Sequence, residues 1–236
     1  MKLRIIRHAD PDYSIDGLTA AGHLEAAALG QRSKGWGLTQ LFASTMGRAQ
    51  LTASYIAMAT QLAVSNESWV RELDEWGMTD EQGTISFPWN YFGGYLPEFM
   101  LHRKEGSLPD YWLSQPELLA QYEMLVQASD DFLQRLGYER VQGGVYRSKE
   151  GGPINHQVAV VCHGGFGLAW LSHLLQLPLA ALWAGVWLAP SSVTTLLFEH
   201  RDGDLAVPRC IELSDTSHLH ASGLPIQPSG LQGNVK

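Results

Sequence analysis

Val158-Ala159-Val160-Val161-Cys162-His163-Gly164-Gly165 is an unbroken apolar, β-branched run that stops on a histidine and two glycines. A strand covered on both faces needs apolar side chains pointing both ways, so a continuous run marks a central parallel strand. The glycine pair turns the chain into an apolar helix expected from Phe166 to about Gln176. Lys2 to Arg7, with Leu3, Ile5 and Ile6, repeats the pattern and stops on Arg7-His8 before the turn sequence Ala9-Asp10-Pro11-Asp12. Two separate strands thus each deliver a histidine to a carboxyl end.

Between them strand and helix alternate. Thr19 is placed to cap an alanine-rich helix running to about Gln31, which Gly35 and Gly37 end. Gln40 to Ala43 reads as a second short strand, and Ser44-Thr45 open a helix from Met46 to about Leu62 whose first turn carries Arg48. Asn66 to Trp76 reads as a third strand edge or an ordered loop. Trp76 to Trp112 is rich in aromatic and turn residues and is expected to pack on itself. Pro116 to Leu136 recovers a helical period, Gly143 to Gly152 looks like a hairpin or loop, and Val193 to Phe198 and Val207 to Leu213 look like further strands. The expected architecture is a three-layer α/β/α fold, with a mostly parallel central sheet and helices on both faces. It occupies residues 1–221 as a single domain with an insertion at about 77–155, and 222–236 is a polar tail expected to be mobile.

With 24 acidic against 16 basic residues and a net charge of -8, the chain lacks the basic face that a nucleic acid or an anionic membrane requires. Two cysteines, Cys162 and Cys210, are too few for a disulfide framework or a zinc site of their own. The start Met1-Lys2-Leu3-Arg4 has charges where a signal peptide needs an apolar core, so a cytoplasmic location is expected. Ligands in open α/β sheets bind outside the carboxyl ends of the strands. Arg7, Arg48, His8, His163 and the helix-start amides are therefore expected to form one compact pocket for a dianion, since guanidinium forks match phosphate oxygens.

Four segments together resemble the histidine phosphatase superfamily, also called phosphoglycerate mutase-like. They are Ile6-Arg7-His8, Ser44-Thr45-Met46-Gly47-Arg48-Ala49, Glu72 and Val161-Cys162-His163-Gly164-Gly165. The resemblance implies that His8 is a nucleophile carrying a covalent phosphohistidine, that Arg7, Arg48 and His163 hold the phosphoryl group, and that Glu72 is the proton donor. Its substrate would be a small phosphorylated metabolite, the chemistry needs no metal and no organic cofactor, and the aromatic stretch Trp76 to Trp112 would lie over the active site as a lid. His8 needs its second ring nitrogen tied to a carbonyl to fix the attacking tautomer, and Glu72 needs a raised pKa. Ala9, where the family usually has glycine, and Asp10-Pro11-Asp12 depart from the glycolytic mutases. Glu75 is the rival acid.

Two other activities compete with hydrolysis: a phosphoglycerate-type mutase, and a non-catalytic protein that binds a phosphoryl ligand. His163-Gly164-Gly165-Phe166-Gly167 also looks like an esterase oxyanion motif, but the Gly-x-Ser-x-Gly elbow is absent. His218 and His220, at strand spacing without a third ligand, read as packing or surface residues. No motif signals an oligomeric state.

Overall fold

The computed structural model describes residues 1–79, 85–87, 89 and 116–231. The chain opens with β1 (Lys2–Arg7), a two-residue ladder of β2 (Pro11–Asp12) and β3 (Gly17–Leu18), α1 (Ala20–Ser33), β4 (Gln40–Ala43), α2 (Gly47–Thr60) and β5 (Val64–Asn66). A second two-residue ladder, β6 (Met78–Thr79) with β7 (Ile85–Ser86), precedes α3 (Pro116–Arg135), β8 (Tyr138–Gln142), β9 (Val145–Ser148) and β10 (Gln157–Cys162). Then come α4 (Gly164–Leu175), α5 (Leu179–Gly185), β11 (Val193–Asp202), β12 (Leu205–Asp215) and α6 (Ser217–Ala221).

Eight strands form one mixed sheet in the order β5-β4-β10-β1-β11-β12-β9-β8. The first four run parallel, and the rest extend the sheet antiparallel from β1. The fold is therefore α/β as expected, but the sheet is mixed where a mostly parallel one was expected, with the parallel half carrying the histidines. The hairpin or loop expected at 143–152 holds the turn and second strand of the outer hairpin β8–β9, and β12 lies inside the sheet.

The apolar runs of β1 and β10 are continuous because each strand is covered twice. Leu3, Ile5, Val158, Val160 and Cys162 point into the core shared with α3 and α4. Ile6, Ala159 and Val161 point into the core under α1 and α2. In the larger core Trp69, Phe132, Phe166 and Trp170 meet edge to face or tilted, and the Trp170 indole donates to Ser129 Oγ at 2.8 Å. Phe166 to Leu188 resolves into α4 and α5, and among the described residues no helix is long and apolar enough to cross a membrane.

Asn66 to Trp76 contains no strand beyond the end of β5. It is an ordered loop with 3-10 turns at Ser68–Val70 and Asp74–Trp76, and Glu72 sits between them. Of the expected lid, most lies outside the described residues. The N-cap Thr19 accepts from the Gly22 amide at 3.0 Å, as its position predicts.

Helix α1 touches the loop after His8 at Gly22, where an added Cβ would lie 2.1 Å from the Asp10 carbonyl oxygen. Both groups are backbone, so neither has a rotamer to escape into. Gly22→Ala is expected to destabilise the fold by about 1–3 kcal/mol through overpacking, read as a lower midpoint in denaturant unfolding.

Candidate active site

The β1–β10 register pairs Arg7 with Cys162, and the His8 amide continues it by donating to the Cys162 carbonyl at 2.9 Å. The next residues on the two strands, His8 and His163, are thereby neighbours, with ring centroids 5.1 Å apart. On the other side of β10, the Ser44 amide bonds the Val161 carbonyl at 2.9 Å, bringing the end of β4 and the start of α2 alongside. Arg48 then reaches His8, its Nε–H donating to Nε2 at 3.2 Å.

These bonds settle the tautomer of His8. Its Nδ1 lies 2.8 Å from the Ala9 carbonyl, which only accepts, so Nδ1 carries the proton and Nε2 keeps its lone pair. The ring is buried at 1% exposure, and burial, then Arg7 and Arg48, hold its pKa well below the ordinary imidazole value. His163 is depressed in the same way by burial, His8, Arg48 and Arg7. Its Nε2 lies 2.8 Å from Ser44 Oγ.

Both arginines are buried and anchored. Arg7 Nη1 donates to the Leu188 carbonyl at 2.6 Å, and Arg48 Nη1 pairs with Asp16 at 2.5 Å. Two buried nitrogens at the site, the donor Arg7 Nε and His163 Nδ1, find no partner among the described residues. Leaving such polar groups unsatisfied costs about 1–3 kcal/mol each, unless something else supplies a partner.

Glu72 stands across a cavity of about 660 Å³ lined by Arg7, Arg48, Glu72 and a wall of aromatic and aliphatic side chains. Its carboxylate accepts from the Phe166 amide at 2.7 Å and the Gly165 amide at 3.2 Å, at the start of α4. Burial raises its pKa, and these amides only partly offset it. Glu75 is exposed and absent from the described lining. The helix-start amides expected to join the anion pocket are instead occupied by carboxylates. Glu72 takes those of α4, and Asp16 takes the Gly47 amide of α2 at 2.6 Å, because each is an anion already tethered there.

Several supporting residues escaped sequence reasoning. Ser44 lies inside a quoted motif and offered a signal, whereas Asp16 had none. The Ala9 amide is held at 3.0 Å by Thr52, which bonds back to the Arg48 carbonyl at 2.9 Å. The C-terminal segment reaches the site as well: Ser229 Oγ donates to Asp10, and Gly230 and Leu231 line the cavity. His218 and His220 fall in helix α6 and do not converge. His218 is buried against Ser191 Oγ at 3.1 Å, while His220 is exposed.

A family model described as the histidine phosphatase superfamily (branch 1) matches residues 3–89, the stretch holding Arg7, His8, Arg48 and Glu72. Over that stretch, rather more than a third of its length, the chain is similar to the histidine phosphatase superfamily. Among curated proteins, a "probable phosphoglycerate mutase GpmB" of Salmonella arizonae is 31% identical over 119 residues, 47% of this chain and 54% of that one. The chain thus spans about half the length of the curated relatives it matches. A phosphoserine phosphatase of Entamoeba histolytica, solved with 3-phosphoglyceric acid, superposes with a TM-score of 0.62 at 18% identity, over 92% of this chain and 98% of that one. A mycobacterial glucosyl-3-phosphoglycerate phosphatase, solved with VO3, gives 0.55 at 18% identity over 89% and 97%. At that identity the structural likeness shows a shared fold and nothing finer.

Behind the candidate site, Glu25 of α1 is 2% exposed and accepts the Asp10 amide at 2.9 Å. Burial pushes its pKa up to about 7. A carboxyl raised in the folded state favours folding fully below the unfolded carboxylate pKa, and this contribution is lost as pH rises through about 7. Glu25→Gln keeps an acceptor but cannot ionise. Relative to wild type it is expected to gain on the order of 2 kcal/mol between about pH 5 and about pH 8, measured by denaturant unfolding at both values.

Proposed function

We propose that this protein is a phosphomonoesterase that acts on a small phosphorylated metabolite through a covalent phosphohistidine on His8. One observation carries the reading: a neutral imidazole whose unprotonated Nε2 faces Arg48 Nε–H lies among two buried guanidiniums and a second imidazole, with Arg7 Nε and His163 Nδ1 left without a partner among the described residues. A phosphoryl group supplies what these lack, an electrophilic phosphorus for Nε2 and anionic oxygens for the donors.

In the first step Nε2 of His8 attacks phosphorus in line. The P–O bond to the ester oxygen breaks, and that oxygen leaves with the proton of Glu72. Arg7, Arg48 and His163 meet the charge on the equatorial oxygens. The Ala9 carbonyl, accepting from Nδ1, stabilises positive charge on the ring as the N–P bond forms. In the second step Glu72, now a carboxylate, takes a proton from water, whose oxygen displaces His8 and releases phosphate. The guanidiniums supply the positive charge that a metal ion would otherwise bring. A chelator should therefore leave turnover unchanged, and we place the protein in the cytoplasm.

His8→Ala is expected to abolish both turnover and an acid-labile, base-stable phosphoenzyme while inorganic phosphate still binds. Hydrolysis near the wild-type rate would overturn the nucleophile. For Glu72, the raised pKa keeps the acid form present to a higher pH than a free carboxyl allows. With an alkyl phosphate, kcat/KM should fall as pH rises through that pKa. In Glu72→Gln this limb should vanish and the rate drop on the order of a hundredfold or more, with a much smaller loss for p-nitrophenyl phosphate.

A mutase is the second reading, favoured by the name of the 31% identical relative. It requires the phosphoenzyme to pass its phosphoryl group to a second hydroxyl. Transfer to 2- or 3-phosphoglycerate faster than to water would establish it.

A further inference from the structure

The leaving-group side of the cavity has a chemistry of its own, centred on Gly165. Its amide donates to Glu72, while its carbonyl accepts from the Trp183 indole N–H at 3.2 Å. Its α-carbon is covered by Trp89, whose ring atoms would lie 2.8 Å from an added Cβ. Trp89 stacks on Phe87 at 5.1 Å and tilts against Trp183 at 5.9 Å, and Trp183 in turn meets Trp76 edge to face at 5.5 Å. The proton donor and an aromatic wall thus hang from one residue.

Charge on this side is equally one-sided. Among the described lining residues the cations are Arg7 and Arg48, both anchored next to His8. The acids are Glu72 and Asp74. A second anionic group on a substrate, extending past Glu72, would meet Asp74 and indole faces in place of a cation. A cavity of about 660 Å³ also leaves ample room beyond a phosphoryl group.

We infer that the wall formed by Phe87, Trp89 and Trp183 is a subsite for an apolar leaving group, so that the substrates are phosphate monoesters of an aliphatic or aromatic alcohol without a second negative charge. This rests on the proposed placement of the phosphoryl group beside His8, with the ester oxygen towards Glu72. It separates this chain from proteins whose bound ligand, like 3-phosphoglyceric acid, carries a carboxylate beside its phosphate.

Non-hydrolysable phosphonates read the subsite whether or not chemistry follows. Hexylphosphonate should bind at least about tenfold more tightly than ethylphosphonate, since each buried methylene contributes roughly threefold, and 3-phosphonopropionate should bind no better than ethylphosphonate. Trp89→Ala and Phe87→Ala should each lower the hexyl-to-ethyl ratio. Two variants are used so that misfolding of one does not decide the outcome. The same order is expected in kcat/KM for hexyl, ethyl and seryl phosphates. Equal affinity for the two alkyl phosphonates, or preference for the carboxylate, overturns the subsite. Selective phosphonate binding without turnover of any ester would leave the subsite standing and overturn the phosphatase reading instead.

Discussion

The arrangement depends on one hydrogen-bonded register. Parallel pairing of β1 with β10 sets Arg7 opposite Cys162, and the His8 amide extends the ladder by one bond. Side chains alternate along a strand, so a slip of one residue would turn Leu3 and Ile5 into the wrong core and carry His8 away from His163. The apolar double covering of both strands prevents that slip. Packing and function are thereby coupled: the interaction that buries the sheet also brings two imidazoles to 5.1 Å.

Gathering like charges in a buried place has an electrostatic consequence. Two guanidiniums beside two imidazoles in a low dielectric keep both rings neutral, the state a nucleophile needs. The fold tolerates the cations because each is tied down, Arg48 by Asp16 and Arg7 by a main-chain carbonyl. Arg7 Nε and His163 Nδ1 are left without a partner among the described residues.

The start of α4 joins a buried carboxylate to an aromatic wall. Glu72 comes from a loop without regular strand or α-helix, yet its carboxylate is fixed by two amides of a rigid helix. Trp183 from α5 and Trp89 pack on the same glycine. A side chain at position 165 would collide with Trp89, so the glycine serves close approach.

The sequence by itself determined the α/β class, the two histidine-bearing strands, the capped helix at Thr19 and the helix carrying Arg48, because continuous apolar runs and local capping depend on neighbours in the chain. It also supplied the identities of Arg7, His8, Arg48, Glu72 and His163, through short motifs at strand ends. The structure alone decided that β10 inserts between β1 and β4, that half the sheet is antiparallel, and that Glu72 rather than Glu75 faces the cavity. It alone brought Asp16, Ser44 and the C-terminal Gly230 to the site and gave the helix-start amides to carboxylates. These are contacts between residues far apart along the chain, set by packing geometry in three dimensions, and no local pattern of residues encodes them.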